Sequence, residues 1–266
     1  MNSYEIKMVN ILTDLVDNNG VIGIKTSFED EGATFNEVIR LKEICNQTNT
    51  KLNLKIGGPE AIRDIKDSTI IGVKGLVAPM VESDFGMKKF IDAVEKHVDP
   101  SIVSALNLAI NVETKTTINN LGEILSIDEV KKLYAITIGR FDLSSSLGLK
   151  RDQINNKQMF KIVQDAYKQI KTKGIKTNMG GGISIEAIDF IKKLSSDGLL
   201  DYVETRYVMF DVPKLLKNYK QGLLKAQEFE YAWLNNKKIL NTALANTDNK
   251  RIDMIERRLK DSKKSI

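Results

Sequence analysis

The chain has 266 residues, of which 28% are charged, and a formal net charge of +5. Acids and bases are interspersed, without the basic and aromatic interleaving of single-strand binders, so we expect no nucleic-acid partner. No stretch is apolar and long enough to cross a bilayer, and the first twenty residues lack a signal-peptide core, which predicts a soluble, cytoplasmic protein without a membrane partner.

The first predicted elements are a helix and a buried strand. Apolar residues recur at near-helical spacing over residues 2–17, and an Asn-Asn-Gly stop follows. Residues 21–28 form an apolar run typical of a strand, and three acids, Glu29 to Glu31, come directly after it. Adjacent acids are more often solvated than catalytic. Glu29 is nonetheless a candidate proton carrier, because it lies nearest to the strand end.

The second predicted strand, residues 52–56, contains a lysine. It follows a helix over residues 35–47 that carries the single cysteine, Cys45, which we interpret as a packing residue. Lys55 lies in a largely apolar run, and a buried lysine needs an anionic partner or a depressed pKa. Two interpretations stay open: Lys55 is a cation for a substrate carboxylate or developing enolate, or it belongs to a structural ion pair.

The third unit contains a proline-ended strand and the single histidine. A helix over residues 60–67 leads to a strand over residues 75–81, where Pro79 fits the strand end. The next helix, residues 87–97, ends at His97. This position is far in sequence from every predicted strand end, so we expect His97 to be non-catalytic.

Two short apolar runs in the middle of the chain each end close to a carboxylate. Residues 105–112 precede Glu113, residues 134–139 precede Asp142, and a helical pattern lies between them. Such a connection makes the strands parallel, and neighbouring strands are about 4.8 Å apart, so the two acids can converge. Converging carboxylates need a shared proton or a cation such as a hard divalent ion. The alternative is that each acid caps the following turn.

A glycine-rich segment follows the sixth predicted strand. A helix over residues 158–171 and a strand over residues 175–179 lead into Gly180 to Ser184. The backbone N–H groups of Gly181 and Gly182 could bind a phosphate or carboxylate. The alternative is a tight turn that needs positive φ, with Ser184 as an ordinary N-cap.

The last predicted strand, residues 201–210, carries two charged residues of opposite sign. Alternation places Glu204 and Arg206 on one face, where they could hold a second functional group of the substrate or stabilise strand order.

The predicted strands number seven, one fewer than a complete barrel requires. An eighth strand is either too irregular to detect, near residue 18 or 70, or missing from a modified barrel. Residues 214–266 show helical patterns only, read as one or two helices over residues 214–245 and another over residues 248–260.

The central segments resemble a known superfamily. AINVETKTTINNLGEIL (109–125) and AITIGRFDLSSSLG (135–148) are similar to the paired signatures of the HpcH/HpaI aldolase and citrate lyase β-subunit superfamily, and GLVAPMVES (75–83) is similar to a further strand of it. The resemblance extends more loosely over residues 20–212. It implies a (β/α)8-type TIM barrel over residues 1–213 and a helical extension, residues 214–266, that contacts another subunit of a homo-oligomer.

The resemblance also implies a site. Glu113 and Asp142 occupy the positions that bind Mg²⁺ or Mn²⁺, and Asn111 lies where many members have a pocket-lining glutamine. The backbone of the segment from Gly139 through Arg140 and Phe141 to Asp142 matches the part that receives the carboxylate of a keto acid. Lys55 takes the place of an arginine. The chain departs from the aldolases in one respect, since it offers no histidine near an early strand end to act as acid and base.

These features together predict a metal-dependent carbon–carbon lyase or aldolase that acts on a 2-keto acid. Proton transfer would be the task of a metal-bound water or Glu29. One alternative keeps the metal and makes the substrate phosphorylated or phosphoenolpyruvate-like, with Gly180 to Ser184 as the phosphate site. The other is a barrel that binds ligands without catalysis, which the absent histidine favours and the pair of acids disfavours.

Overall fold

Eight strands close into one barrel in the computed structural model, which describes the backbone of residues 1–264 and the side chains of residues 1–243 and 245–257. The strands are β1 Val21–Ser27, β2 Leu52–Lys55, β3 Gly75–Ala78, β4 Asn107–Val112, β5 Leu133–Gly139, β6 Lys176–Gly180, β7 Tyr202–Glu204 and β8 Val208–Asp211. The helices are α1 Ser3–Asn19, α2 Phe35–Gln47, α3 Ile62–Ile71, α4 Asp84–His97, α5 Pro100–Val103, α6 Lys115–Ile124, α7 Arg140–Ser146, α8 Lys157–Lys171, α9 Ile188–Ser196, α10 Val212–Leu215 and α11 Tyr219–Lys264.

The predicted barrel is confirmed, but its last part differs from the prediction. The run over residues 201–210 is not one strand, because residues 205–207 form a turn between β7 and β8. β8 pairs antiparallel with both β7 and β1, whereas β1 to β7 run parallel. The eighth strand therefore lies inside the predicted seventh, and the expectation of a hidden strand near residue 18 or 70 is wrong.

Local capping signals account for where the first helices begin and end. Asn2 and Glu5 form a reciprocal capping box at the start of α1, and Thr34 and Glu37 form another at the start of α2. Helix α1 ends at Gly20, whose φ of 71° is the left-handed conformation that glycine adopts most readily. The predicted bounds of these helices agree with the structure to within two residues.

The long helix α11 packs along α1. Its first half buries the apolar side chains of Phe229, Ala232 and Trp233, while residues 241–243 and 245–253 are exposed. The carboxylate of Glu5 in α1 accepts hydrogen bonds from Arg40 (2.6 Å) and from the buried Asn236 of α11 (3.4 Å). The two or three predicted C-terminal helices are thus the short α10 and a continuous α11, and the last two residues of the predicted extension lie outside the described residues.

The structure also places Cys45 and His97, for which the sequence predicted no catalytic role. Cys45 is fully buried in α2, and burial raises the pKa of its thiol to about 12. His97 lies at the end of α4, away from the strand ends. Among residues 1–264, no helix combines the length and the apolarity that crossing a bilayer requires.

The interior of the barrel carries a polar layer. Lys25 forms an ion pair with Glu204 at 2.5 Å, and Asn178 donates to Glu204 (2.5 Å) and to Thr137 (3.0 Å). On the N-terminal side of this layer lies a cavity of about 260 Å³, where the wall includes the small side chains of Ala109 and Ala135. The polar layer forms the floor of the site on the other side.

Packing of α11 predicts a large difference between a buried and an exposed residue of this helix. Replacing the buried Trp233 by alanine should lower the free energy of unfolding by about 3–5 kcal/mol, through lost burial and a residual cavity. Glu228→Ala, at an exposed position of the same helix, is the control and should change it by less than about 0.5 kcal/mol. Urea denaturation followed by far-ultraviolet circular dichroism measures both, and equal losses would show that α11 does not pack as described.

Candidate active site

The carboxyl ends of the barrel strands enclose a pocket of about 260 Å³. In barrels of this type the loops after the strands meet at this face and supply the chemistry. The pocket contains most of the residues that the sequence put forward. Those that line it are Lys55, Asn111, Glu113, Gly139, Phe141, Asp142, Gly181, Gly182 and Arg206.

Glu113 follows β4 and is held by its neighbours. It is 2% exposed, and its two carboxylate oxygens accept hydrogen bonds from the Met80 N–H (3.1 Å) and the Asn111 side-chain amide (3.1 Å). Met80 adopts a φ of 51°, a conformation that costs a non-glycine residue about 1–3 kcal/mol. Burial raises the pKa of Glu113, Lys55 and the Met80 N–H lower it, and the nearby charge of Asp142 raises it further, with an upward net shift.

Asp142 lies one strand further on, in the first turn of α7. The segment that the resemblance assigns to the carboxylate of the keto acid thus runs into a short helix, which starts directly after β5. Burial raises the pKa of Asp142; Lys55 opposes this shift, and the acids Asp30 and Glu29 add to it. The raised pKa values of Asp142 and Glu113 mark a site where a second negative charge is unfavourable unless a cation is present.

Lys55 is 8% exposed and points into the pocket from the end of β2. Its ammonium group forms an ion pair with Glu29 at 2.7 Å. Burial alone would lower its pKa, but the hydrogen bond to Glu29 and the charges of Glu113 and Asp30 raise it. Lys55 therefore keeps a positive charge in the pocket. The structural ion pair offered by the sequence is present, and a role as the cation for a substrate carboxylate or enolate stays a prediction.

The acidic segment after β1 is only partly solvated. Glu29 does not line the pocket, because its carboxylate turns to Lys55. Glu31 does line it, with a side chain 4% exposed, and accepts a hydrogen bond from the Thr26 hydroxyl at 3.0 Å. Burial raises the pKa of Glu31. The expectation that these acids are solvated is wrong for Glu31.

Arg140 has a side chain that leaves the pocket. The guanidinium is fully buried and donates to the carbonyl oxygens of Gly181 (2.7 Å) and Gly182 (3.1 Å) and to Asn155 (2.7 Å). Any substrate contact of Arg140 would therefore involve its backbone N–H, as the resemblance implies. The side chain instead ties the glycine segment to α7.

The two glycines after β6 meet the requirements of a tight turn. Gly181 has a φ of 76°, and a Cβ atom there would lie 2.7 Å from the Phe141 nitrogen. Gly182 has a φ of 64°, and a Cβ atom there would lie 2.2 Å from the side chain of Ile154. Ser184 does not cap a helix but donates to Glu186 at 2.5 Å. Positive φ and close packing account for the glycines, and anion binding by them stays a prediction.

Glu204 and Arg206 are not a pair. The chain turns between them, so the alternation expected of one continuous strand does not apply. Glu204 points into the barrel towards Lys25, while Arg206 lies 3.5 Å from Asp30 and 3.8 Å from Glu31. The predicted charged pair is wrong, and each residue has partners from β1 or from the segment that follows it.

Several pocket residues were not identified from the sequence. Lys25 lies in a predicted buried strand, and the argument applied to Lys55 would also have found it. The wall formed by α11 gives no local signal, because a helical pattern does not show which barrel face it reaches. Its pocket residues are Leu223, Ala226, Gln227 and Glu230.

The donor set fits a hard divalent cation. Among the residues with described side chains, six carboxylates and three cationic groups line the pocket. The Asn111 carbonyl oxygen, in a side chain 5% exposed, has no hydrogen-bond partner. Within the described part of the chain, no group of three or more His, Cys, Asp and Glu side chains is arranged around a common metal position. A fit therefore requires the two carboxylates to be completed by water and substrate oxygens, as is usual for Mg²⁺.

Comparison with known proteins gives a family. The family described as HpcH/HpaI aldolase/citrate lyase matches residues 41–184, a span that includes Glu113 and Asp142. The 2-keto-3-deoxy-L-rhamnonate aldolase of Escherichia coli O6:K15:H31 (strain 536 / UPEC) is 27% identical in an alignment of 132 residues that covers 41% of this chain and 48% of that protein. The chain thus spans about half the length of this curated relative.

Solved structures show the same fold. An HpcH/HpaI aldolase from Desulfitobacterium hafniense DCB-2 superposes with a TM-score of 0.61 and 14% identity, over 85% of this chain and 90% of that one. Citrate synthase SbnG superposes with a TM-score of 0.56 and 16% identity, over 81% and 96%. The family match covers more than half of the chain and confirms the resemblance seen in its strand-end motifs. The chain belongs to the HpcH/HpaI aldolase/citrate lyase family.

Proposed function

We propose that the protein is a carbon–carbon lyase of the aldolase type that works through the enolate of a 2-keto acid and depends on Mg²⁺ or Mn²⁺. The observation that carries this proposal is the placement of Glu113 and Asp142 at the ends of adjacent strands, with the charged Lys55 beside both. The family match and the aldolase name of the curated relative support the reaction class.

The ion would be held by Glu113 and Asp142, with the unpaired carbonyl oxygen of Asn111 available to it or to a bound water. When bound, a divalent ion polarises the keto group and lowers the energy of the enolate. The Met80 N–H and the Asn111 amide fix the orientation of Glu113 before any ligand arrives. Such preorganisation avoids reordering the carboxylate when the substrate binds.

Lys55 and the backbone N–H groups of α7 would bind different negatively charged groups of the substrate. Lys55 is held in place by Glu29 and keeps its proton, so it can stabilise negative charge that develops on the substrate oxygen. The N–H groups of Arg140 and Phe141 lie in the first turn of α7, before the helical hydrogen bonds begin, and would receive the carboxylate. Gly181 packs against these two nitrogens.

Among the described residues the pocket has no histidine, and we propose that a carboxylate rather than a metal-bound water takes the methyl proton of the substrate. The sequence put forward Glu29, which in the structure is bound to Lys55. Glu31 meets the requirements better, because it lines the pocket and because burial raises its pKa towards the working range of a base. We therefore assign proton transfer to Glu31. Glu29 is the alternative base, and the third prediction below tests it.

The cytoplasmic location and the homo-oligomer also remain proposals. Exposed apolar side chains on α11 support the second of these, since a partner subunit would cover them. They are Leu224, Tyr231, Leu234 and Ile239.

The first prediction concerns enolate formation. Pyruvate methyl protons should exchange with D₂O when protein and Mg²⁺ are present, and EDTA should stop the exchange. Asp142→Asn and Lys55→Met should each slow it by at least about 100-fold, a typical loss when charge stabilisation is removed. Proton NMR measures the rate without an acceptor. His97→Asn is the matched control and should keep the wild-type rate, because His97 ends a distant helix.

The second prediction concerns metal binding alone. Mg²⁺ at a hundred times its dissociation constant stabilises the fold by about 2.7 kcal/mol. At this chain length that raises the melting temperature by about 5–10 °C. Asp142→Asn should abolish the rise.

The same variant should not melt below the wild type when metal is removed by EDTA. Both raised carboxylate pKa values mean that the ionised pair costs stability at neutral pH, a cost that vanishes as the pH falls through those values. Differential scanning fluorimetry tests both statements, and a Mg²⁺-induced rise retained in Asp142→Asn would contradict the assignment of the ligands.

The third prediction separates the two candidate bases. Glu31→Gln should slow methyl exchange by about 100- to 10,000-fold, the usual contribution of a general base, and Glu29→Gln by less. Because the pKa of Glu31 is raised, the wild-type rate should fall as the pH drops through a value above the ordinary range of glutamate. A Glu31→Gln protein with the same acid limb as the wild type would assign the base to another group.

A further inference from the structure

We propose that the second substrate, the aldehyde that receives the enolate carbon, carries a positively charged amino group, and that phosphorylated aldehydes are poor substrates. This inference rests on the proposed aldolase function and adds the chemical class of the acceptor. It is drawn from the charges and pairing of the pocket walls.

The lining of the pocket has an excess of negative charge. Six carboxylates face three cationic groups. The carboxylates belong to Asp30, Glu31, Glu113, Asp142, Glu204 and Glu230, and the cations to Lys25, Lys55 and Arg206. A divalent ion held by Glu113 and Asp142 would remove two of the three excess negative charges, and the carboxylate of the keto acid would restore one. The site that awaits the acceptor is still anionic.

All three cations of the pocket already have carboxylate partners. Lys25 is paired with Glu204 at 2.5 Å, Lys55 with Glu29 at 2.7 Å, and Arg206 lies between Asp30 and Glu31. A phosphate group would have to break the Lys25–Glu204 or Lys55–Glu29 pair, which is costly in a partly buried site. Otherwise it would have to compete with Asp30 and Glu31 for the exposed Arg206. An ammonium group needs no such exchange.

Glu230 is the carboxylate that such a group would meet. It lies on the α11 wall, is half-buried, and has no cationic side chain within 4.0 Å among the residues with described side chains. The buried Asn111 carbonyl oxygen, which we assign to the metal or its bound water, is a further acceptor in the pocket without a protein donor. The pocket therefore offers acceptors to a ligand and few free donors.

The reaction needs no further reactant. A proton leaves the pyruvate methyl carbon for the base, and the electron pair forms the new bond to the aldehyde carbon. The aldehyde C=O double bond becomes a single bond, and its oxygen takes up one proton. The amino group only positions the acceptor and is unchanged.

The experiment compares three short aldehydes with pyruvate and Mg²⁺: 3-aminopropanal, 3-hydroxypropanal and glyceraldehyde 3-phosphate. We expect kcat/KM to fall in that order, with at least about a tenfold preference for the amino over the phosphorylated aldehyde. The preference should shrink in 0.5 M NaCl, because salt screens partly exposed charges. Product formation is followed by NMR or mass spectrometry.

Two substitutions on α11 test whether the preference for the amino aldehyde depends on Glu230. Glu230→Gln should reduce the ratio of kcat/KM for 3-aminopropanal over 3-hydroxypropanal about fivefold. Glu228→Gln removes the same charge from an exposed position on the same helix that does not line the pocket, so it should leave the ratio unchanged.

The outcomes are distinguishable. A phosphorylated acceptor used as well as the amino aldehyde, or a ratio unaffected by Glu230→Gln, would overturn this inference while leaving the enolate chemistry in place. Absence of methyl exchange by the wild type in Mg²⁺ would overturn the proposed function, and the inference with it.

Discussion

The pairing of β4 and β5 is the constraint on which the site depends. These strands run parallel, with Val112 opposite Ile138, so the residues that follow them leave the sheet side by side. This places Asp142 where its charge acts on the buried Glu113, and loss of solvation raises the pKa of both carboxyl groups. Lys55 relieves part of this repulsion, and we propose that a metal ion relieves the rest.

Buried charges elsewhere in the barrel follow the same rule. Removing a charge from water is costly unless a partner replaces the lost solvation. Lys25 has Glu204, Lys55 has Glu29 and Arg206 has two acids, so the charges of the pocket form connected pairs rather than isolated ions. Because these carboxylates already neutralise the cationic side chains, the remaining carboxylates of the pocket are available to cationic ligands. For this reason we propose both a metal ion and an amino aldehyde as ligands of the pocket.

Barrel closure explains how the C-terminal helix reaches the site. The antiparallel β8 brings the chain back to the N-terminal side of the barrel beside β1, and α11 then runs along α1. Its first half reaches the pocket and contributes Glu230 to the pocket wall. The predicted division at residue 213 therefore separates the strands from a helix that forms one wall of the pocket.

The sequence by itself determined the strands up to β6, most of the helices between them and the two acids at the ends of β4 and β5, because alternation, helical spacing and capping are local properties. Tertiary structure decided the rest. The split of residues 201–210 depends on pairing with β1, the turn of Glu29 towards Lys55 depends on two strand ends meeting, and the burial of Arg140 depends on the glycine carbonyls it binds. These contacts join residues far apart in the chain, and no periodicity along the sequence records which of them will meet.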